Sequence, residues 1–147
     1  MSKYIFTYKK EGIARYISHL DFLRAINRTF RRAGIRVTHS QGFNPHPLLS
    51  FALPLALGIT SECEAFEAIL DETDLSETEI MDRLNYALPD GIVIISVKQT
   101  ETKNNFADIC KAEYIVTPEN MPSNKQTELF LSQAEIIMDK KTKKGIK

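Results

Sequence analysis

Apolar and polar positions alternate from residue 3 to residue 10, with Tyr4, Phe6 and Tyr8 at every second place. That period predicts a strand with one buried face. Glu11-Gly12 breaks it, and after the short apolar stretch 13–17, Ser18 stands three residues before Asp21. This is a variant of the capping box, in which side-chain oxygens satisfy the free amides of a helix start. Leu20, Leu23, Ile26, Phe30 and Ala33 then recur at intervals of three or four, with Phe22 beside them, until Gly34 supplies a stop. A helix with that apolar stripe is expected.

Residues 35–40 can form a second strand before the loop Gln41-Gly42-Phe43-Asn44-Pro45-His46-Pro47. Residues 48–57 are apolar but hold Pro54, so they read as extended, edge-like or irregular chain ending in a turn at Gly58. Residues 65–70 form a third strand pattern. Ser76 caps a second helix with Glu79 three positions on, and Ile80, Leu84, Ala87 and Leu88 form its buried face until Pro89-Asp90-Gly91. Residues 92–97 are the fourth strand. The order β-α-β-β-α-β predicts an α+β fold, a ferredoxin-like sandwich over residues 1–98 with an antiparallel sheet and both helices on one face. Residues 99–111 are polar and read as a linker or long hairpin. Residues 113–117 read as a strand, 124–133 as a short helix and 135–139 as a strand running into the lysines of 140–144. Residues 112–147 are thus expected to be part of a second β-α-β unit, the start of a truncated domain with too little apolar surface to close its own core.

Composition changes this picture little: 147 residues, 43% apolar and 26% charged, suit a folded chain. No apolar run approaches the roughly 20 residues that cross a bilayer, and the N-terminus has no signal-peptide core, so a cytoplasmic protein without a membrane partner is expected. Cys63 and Cys110 are isolated and lack metal-ligand spacing; they are read as buried or incidental thiols, and no metal site is expected. Charge changes more. Residues 1–61 carry nine Lys/Arg against Glu11 and Asp21, a net +7, whereas residues 62–90 carry a net −9 and the remainder +2. A formal total of zero hides a dipolar chain.

Arg24, Arg28 and Arg31/Arg32 recur at helical spacing opposite the apolar stripe, with Arg15 expected nearby. Planar guanidinium forks suit phosphate, and a stripe of them matches a polyanion backbone; the alternative is a solvated face or one paired with the acidic segment 62–82. Among the histidines, His19 lies at the first helical turn. As a neutral base for a ribose 2′-hydroxyl it would act with Arg24 or Arg28 stabilising the phosphorane, and His46 is the second catalytic candidate. The preferred reading is that Ser18, His19 and Asp21 form a capping and packing cluster. In the loop, Phe43 can stack on a base while Gly42 and Asn44 allow close approach of a ligand; otherwise Phe43 plugs the core.

Two blocks resemble a known family: Arg15-Tyr16-Ile17-Ser18-His19-Leu20-Asp21 with the helix to Ala33-Gly34, and residues 41–47 followed by 52–62. Together they resemble the uncharacterised radical-SAM-associated domain family over residues 1–98, and Tyr114 with the lysines near residue 143 is similar to the start of its second half. The resemblance implies a radical-SAM protein as partner, to which members are fused or stand as companions. No Cys-x3-Cys-x2-Cys cluster is present, so no iron–sulfur cofactor is expected in this chain. A second likeness, at the level of fold, is to the CRISPR repeat-processing endoribonucleases. The expected function is a module that binds RNA, or a nucleic-acid-like substrate, for its partner and has no catalysis of its own. A metal-independent endoribonuclease and a protein-docking adaptor are the alternatives.

Overall fold

The computed structural model describes residues 1–71, 74–101, 106 and 109–135, and the backbone of 141–142 and 145–146. Two compact units, 1–110 and 111–147, divide the chain.

In the first unit β1 (Ser2–Lys10) lies between β3 (Ser61–Leu70) and β4 (Ile92–Thr100), and β2 (Leu49–Phe51) adds to the outside of β3. The sheet is antiparallel throughout, in the order β2-β3-β1-β4. Tyr4, Phe6 and Tyr8 face inward as the alternation predicts, opposite Ala68, Phe66 and Glu64 of β3. On β4, Ser96 faces Thr7 but Ile94 faces Tyr8, so Ile95 is an extra residue. This bulge switches the buried positions from Ile92 and Ile94 to Val97. Phe22, Ile26 and Phe30 of α1 (His19–Arg32) and Ile80 and Leu84 of α2 (Glu77–Ala87) share one core with those inward strand residues, so both helices cover the same face.

The phase of α1 differs from the sequence expectation. Phe22, Ala25, Ile26, Thr29 and Phe30 are buried, whereas Leu20 is 64% exposed. At roughly 100° per residue, Leu20 lies on the far side of the helix from Phe22. The aromatic ring takes the core position, stacking on Tyr8 at 5.1 Å and meeting Phe51 edge-on at 5.6 Å. Lys10 also occupies an inward position. Its ammonium is buried, donates to the Ile17 carbonyl at 3.1 Å and sits 5.4 Å from the Phe22 ring centre. Burial pulls its pKa down, and the bond holds the chain where the 3-10 turn Gly12–Tyr16 leads into α1.

The strand expected over 35–40 is not formed. Val37 bridges Leu70 and His39 bridges Pro47, while Leu49–Phe51 pairs with Ala68–Phe66. The outer edge of β3 has room for one partner along its length, and two segments divide it: Thr38 N–H donates to Ile69 O, and Ile69 N–H donates to Leu48 O. The intervening chain leaves the sheet as a hairpin-like loop. Cys63 and Cys110 are both exposed, which corrects the reading of buried thiols.

Ser18 accepts from the Asp21 amide and donates to its carboxylate at 2.8 Å, and Ser76 with Glu79 forms a complete capping box. The Ser18 bond, then Arg24, holds the Asp21 carboxyl below its usual range, and bonds from Ser76 do the same for Glu79. With both folded values depressed, the unfolded chain binds more protons; the capping contribution is present above the unfolded values of about 4 and is lost as pH falls through the folded ones. The melting temperature is therefore expected to drop on acidification below about pH 4, and to drop less in a Ser18→Ala/Ser76→Ala variant. Equal drops in parent and variant would show that the caps contribute nothing to acid sensitivity.

In the second unit α3 (Asn124–Leu131) begins at a Ser123/Gln126 capping box and buries none of its residues. The strand expected at 113–117 is absent: Tyr114, Ile115 and Val116 are exposed and no strand pairs with them among the described residues. A two-residue ladder joins β5 (Lys141–Thr142) to β6 (Gly145–Ile146). Four of the five residues of the strand expected at 135–139, and residues 102–105 and 107–108 of the linker expected at 99–111, lie outside the described residues, while Gln99 and Thr100 belong to β4 rather than to a linker. Among the described residues, no helix is long and apolar enough to cross a membrane.

Candidate nucleic-acid interface

The face of α1 turned away from the core carries Arg24, Arg28 and Arg31, all exposed, as their spacing predicts. They differ in engagement. Arg24 pairs with Asp21 at 2.9 Å, a surface contact between two well-exposed groups, while Arg28 and Arg31 have no ion-pair partner among the described residues. No ion pair joins the stripe to the acidic segment 62–90 among the described residues. Arg32 and Arg15 are occupied elsewhere. Arg32 donates to the Ala87 carbonyl at the end of α2, tying the two helices together. Arg15 donates to the Tyr16 hydroxyl at 2.6 Å and lies 4.7 Å from that ring centre, before the start of α1.

At the C-terminal end of α1 the chain turns through Gly34 and opens a cleft of about 360 Å³. Phe30, Ile35, Val37 and Pro47 give it apolar walls. Asn27, Arg31, Arg36, His39 and Asp71 supply its polar groups. Thr38 donates to Asp71 Oδ1 at 2.8 Å, and the Asp71 amide donates to Arg36 O at 3.0 Å, so the carboxylate is held in place. His39 Nδ1 lies 2.9 Å from the Val37 carbonyl. A carbonyl can only accept, so Nδ1 carries the hydrogen and Nε2 of the neutral ring keeps its lone pair.

The same His39 and Pro47 form the base of the loop. Ser40 N–H donates to the His46 carbonyl at 2.8 Å, His46 N–H donates to Ser40 Oγ at 3.1 Å, and Ser40 Oγ lies 2.8 Å from His46 Nδ1. These bonds close a seven-residue span whose tip is Gln41 to Pro45. Gly42 has φ +129°, a conformation that favours glycine, and Phe43 beside it is fully exposed. The reading of Phe43 as a core plug is thereby corrected. Asn44 is exposed at the same tip.

The two candidate catalytic histidines are not brought together in the cleft. His19 is half-buried against the edge of Phe51 at 5.6 Å, at the opposite end of α1 from Arg31, roughly 18 Å along the helix axis. His46 is spent on the loop closure, and neither lines the cleft. The histidine that does line it, His39, was not singled out by sequence reasoning. A signal existed: Ile35, Val37 and His39 stand at every second position and all three line the cleft.

No curated protein matches this chain. A family model described as "Uncharacterized protein conserved in bacteria (DUF2344)" matches residues 3–147, and the chain belongs to that family.

Proposed function

We propose that this protein binds single-stranded RNA along the outer face of α1 and the hairpin tip, and presents it to a radical-SAM partner in the cytoplasm. The observation that carries the reading is the meeting of Arg31 and Arg36 with the base of a hairpin that holds Phe43 fully in solvent. Guanidinium groups grip phosphates in a sequence-tolerant way, and an exposed aromatic ring offers a stacking platform to any base. The resemblance of the 15–34 and 41–62 blocks to radical-SAM-associated domains supports the partner. The order β2-β3-β1-β4, with both helices on one face, supports a ferredoxin-like reading in which β2 has contracted to three residues. An endoribonuclease using His19 and His46 draws no support from a cleft that neither lines.

The test is RNA affinity across a salt series for an Arg24→Gln/Arg28→Gln/Arg31→Gln variant, with circular dichroism as the folding control. For every phosphate that an arginine no longer neutralises, the log-log salt slope is expected to fall by about 0.7. Phe43→Ala is expected to weaken binding by about 1–3 kcal/mol with the slope unchanged. A folded triple variant that binds as tightly and with the parent's slope would make the stripe a solvated face and favour the docking adaptor.

A further inference from the structure

We infer that the cleft at the end of α1 is a pocket for one unstacked nucleotide, and that it selects a base bearing an exocyclic amino group. This rests on the reading of the surrounding face as a nucleic-acid interface and names what the cleft takes. A volume of about 360 Å³ falls at the small end of ligand sites, about 300–1,000 Å³. That suits a single nucleotide rather than a stack.

The lining separates into three chemistries. Phe30, Ile35, Val37 and Pro47 give the apolar contact that the faces of a heterocycle need. Arg31 and Arg36 are the cations for its phosphate, and Arg31 continues the stripe along which the rest of the strand would run. Asp71 is the group a bare phosphate site would not contain, because a carboxylate repels the anion the arginines attract. Its presence points to a hydrogen-bond donor on the ligand. Thr38 occupies Oδ1 and, among the described residues, nothing donates to Oδ2, which leaves it to accept from an amino group. In the neutral tautomer that the Val37 carbonyl selects, with the hydrogen on Nδ1, His39 Nε2 is a second acceptor in the same lining. Two acceptors favour bases that present N–H groups on the recognised edge.

Cytidine and uridine monophosphates make a close comparison, since they have the same size and charge and differ at C4, amino against oxo, and with it at N3, so that cytosine offers two N–H donors on this edge and uracil one. Amide chemical shifts of the full chain would be followed by NMR while CMP, UMP or inorganic phosphate is added. CMP is expected to move the signals of Gly34, Arg36 and His39 and to bind roughly 3- to 10-fold more tightly than UMP, the range for one additional hydrogen bond. Asp71→Asn keeps an oxygen for Thr38 and is expected to erase or invert that preference. Arg31→Gln is expected to weaken both nucleotides equally. Equal affinity for CMP and UMP, or shifts reproduced by phosphate alone, would overturn the inference. RNA binding with the expected salt slope while CMP leaves the cleft amides unmoved would overturn it too and leave the interface reading standing. A CMP preference in a chain that binds no strand would support the pocket and remove the strand-binding reading instead.

Discussion

Phe66→Ala is expected to cost about 3–5 kcal/mol, a large part of the roughly 5–15 kcal/mol that holds a domain folded. Phe66 is completely buried at the centre of the aromatic core. Its ring stacks on Phe6 at 4.8 Å and on Phe51 at 5.1 Å, and meets Tyr8 and Phe30 at 5.8 and 6.3 Å. It pairs in register with Phe6 of β1 and Phe51 of β2, so truncation opens a hole where three strands and α1 meet. Neighbours anchored in a hydrogen-bonded ladder cannot collapse into it, which places the cost in the upper range for such changes. Urea denaturation measures it: the midpoint should fall with the slope unchanged, and Phe66→Leu should fall less. A midpoint shift worth under about 1 kcal/mol would mean that this ring cluster is not what holds the sheet to α1.

Gly91→Ala should be nearly as damaging, for a different reason. Gly91 has φ +84°, which costs an L-residue about 1–2 kcal/mol by itself. A Cβ there would also stand 2.5 Å from the Glu11 carbonyl oxygen and 3.0 Å from the Ala14 Cβ. Neither can yield, because Glu11 N–H donates to the Gly91 carbonyl at 2.8 Å and Ala14 is fully buried. Adding an overpacking cost of about 1–3 kcal/mol gives a total of roughly 2–5 kcal/mol. Gly58→Ala is the control, since at φ +87° it carries the same backbone cost with nothing within 4 Å of the new methyl. Equal losses of melting temperature at the two sites would show that the contact with Glu11 yields after all.

Local features were legible in the sequence wherever they depend on residues close together. The alternation of Tyr4, Phe6 and Tyr8, the Ser76/Glu79 box and the spacing of Arg24, Arg28 and Arg31 all appear as read. The phase of α1 was not, because Leu20 and Phe22 are both apolar and only the fit of a ring against Tyr8 and Phe51 decides between them. The edge of β3 was hidden for a similar reason. Whether 35–40 or 48–51 pairs with it is settled by β3, more than ten residues further along, and both do so in part. Residues 113–117 have strand-forming side chains, but no strand pairs with them among the described residues, and propensity without a partner makes no strand. In the site, the arginines lie on one helix and could be seen. The cleft depends on His39 meeting Pro47 across the loop, and no helical spacing encodes that.

The extra residue in β4 bears on how the chain avoids its own kind. β4 is an outer strand of the sheet, and Ile92-Val93-Ile94-Ile95 is the sort of apolar run that recruits a strand from another molecule when its edge is straight. Ile95 bends the ladder at the end of that run, and the exposed Lys98 sets a charge three residues beyond. At the opposite margin β2 is three residues long, with Pro47 two positions before it and Pro54 three after. Neither border offers a long flat template, so the bulge that redirects Val97 into the core also guards the sheet against fibril-like stacking.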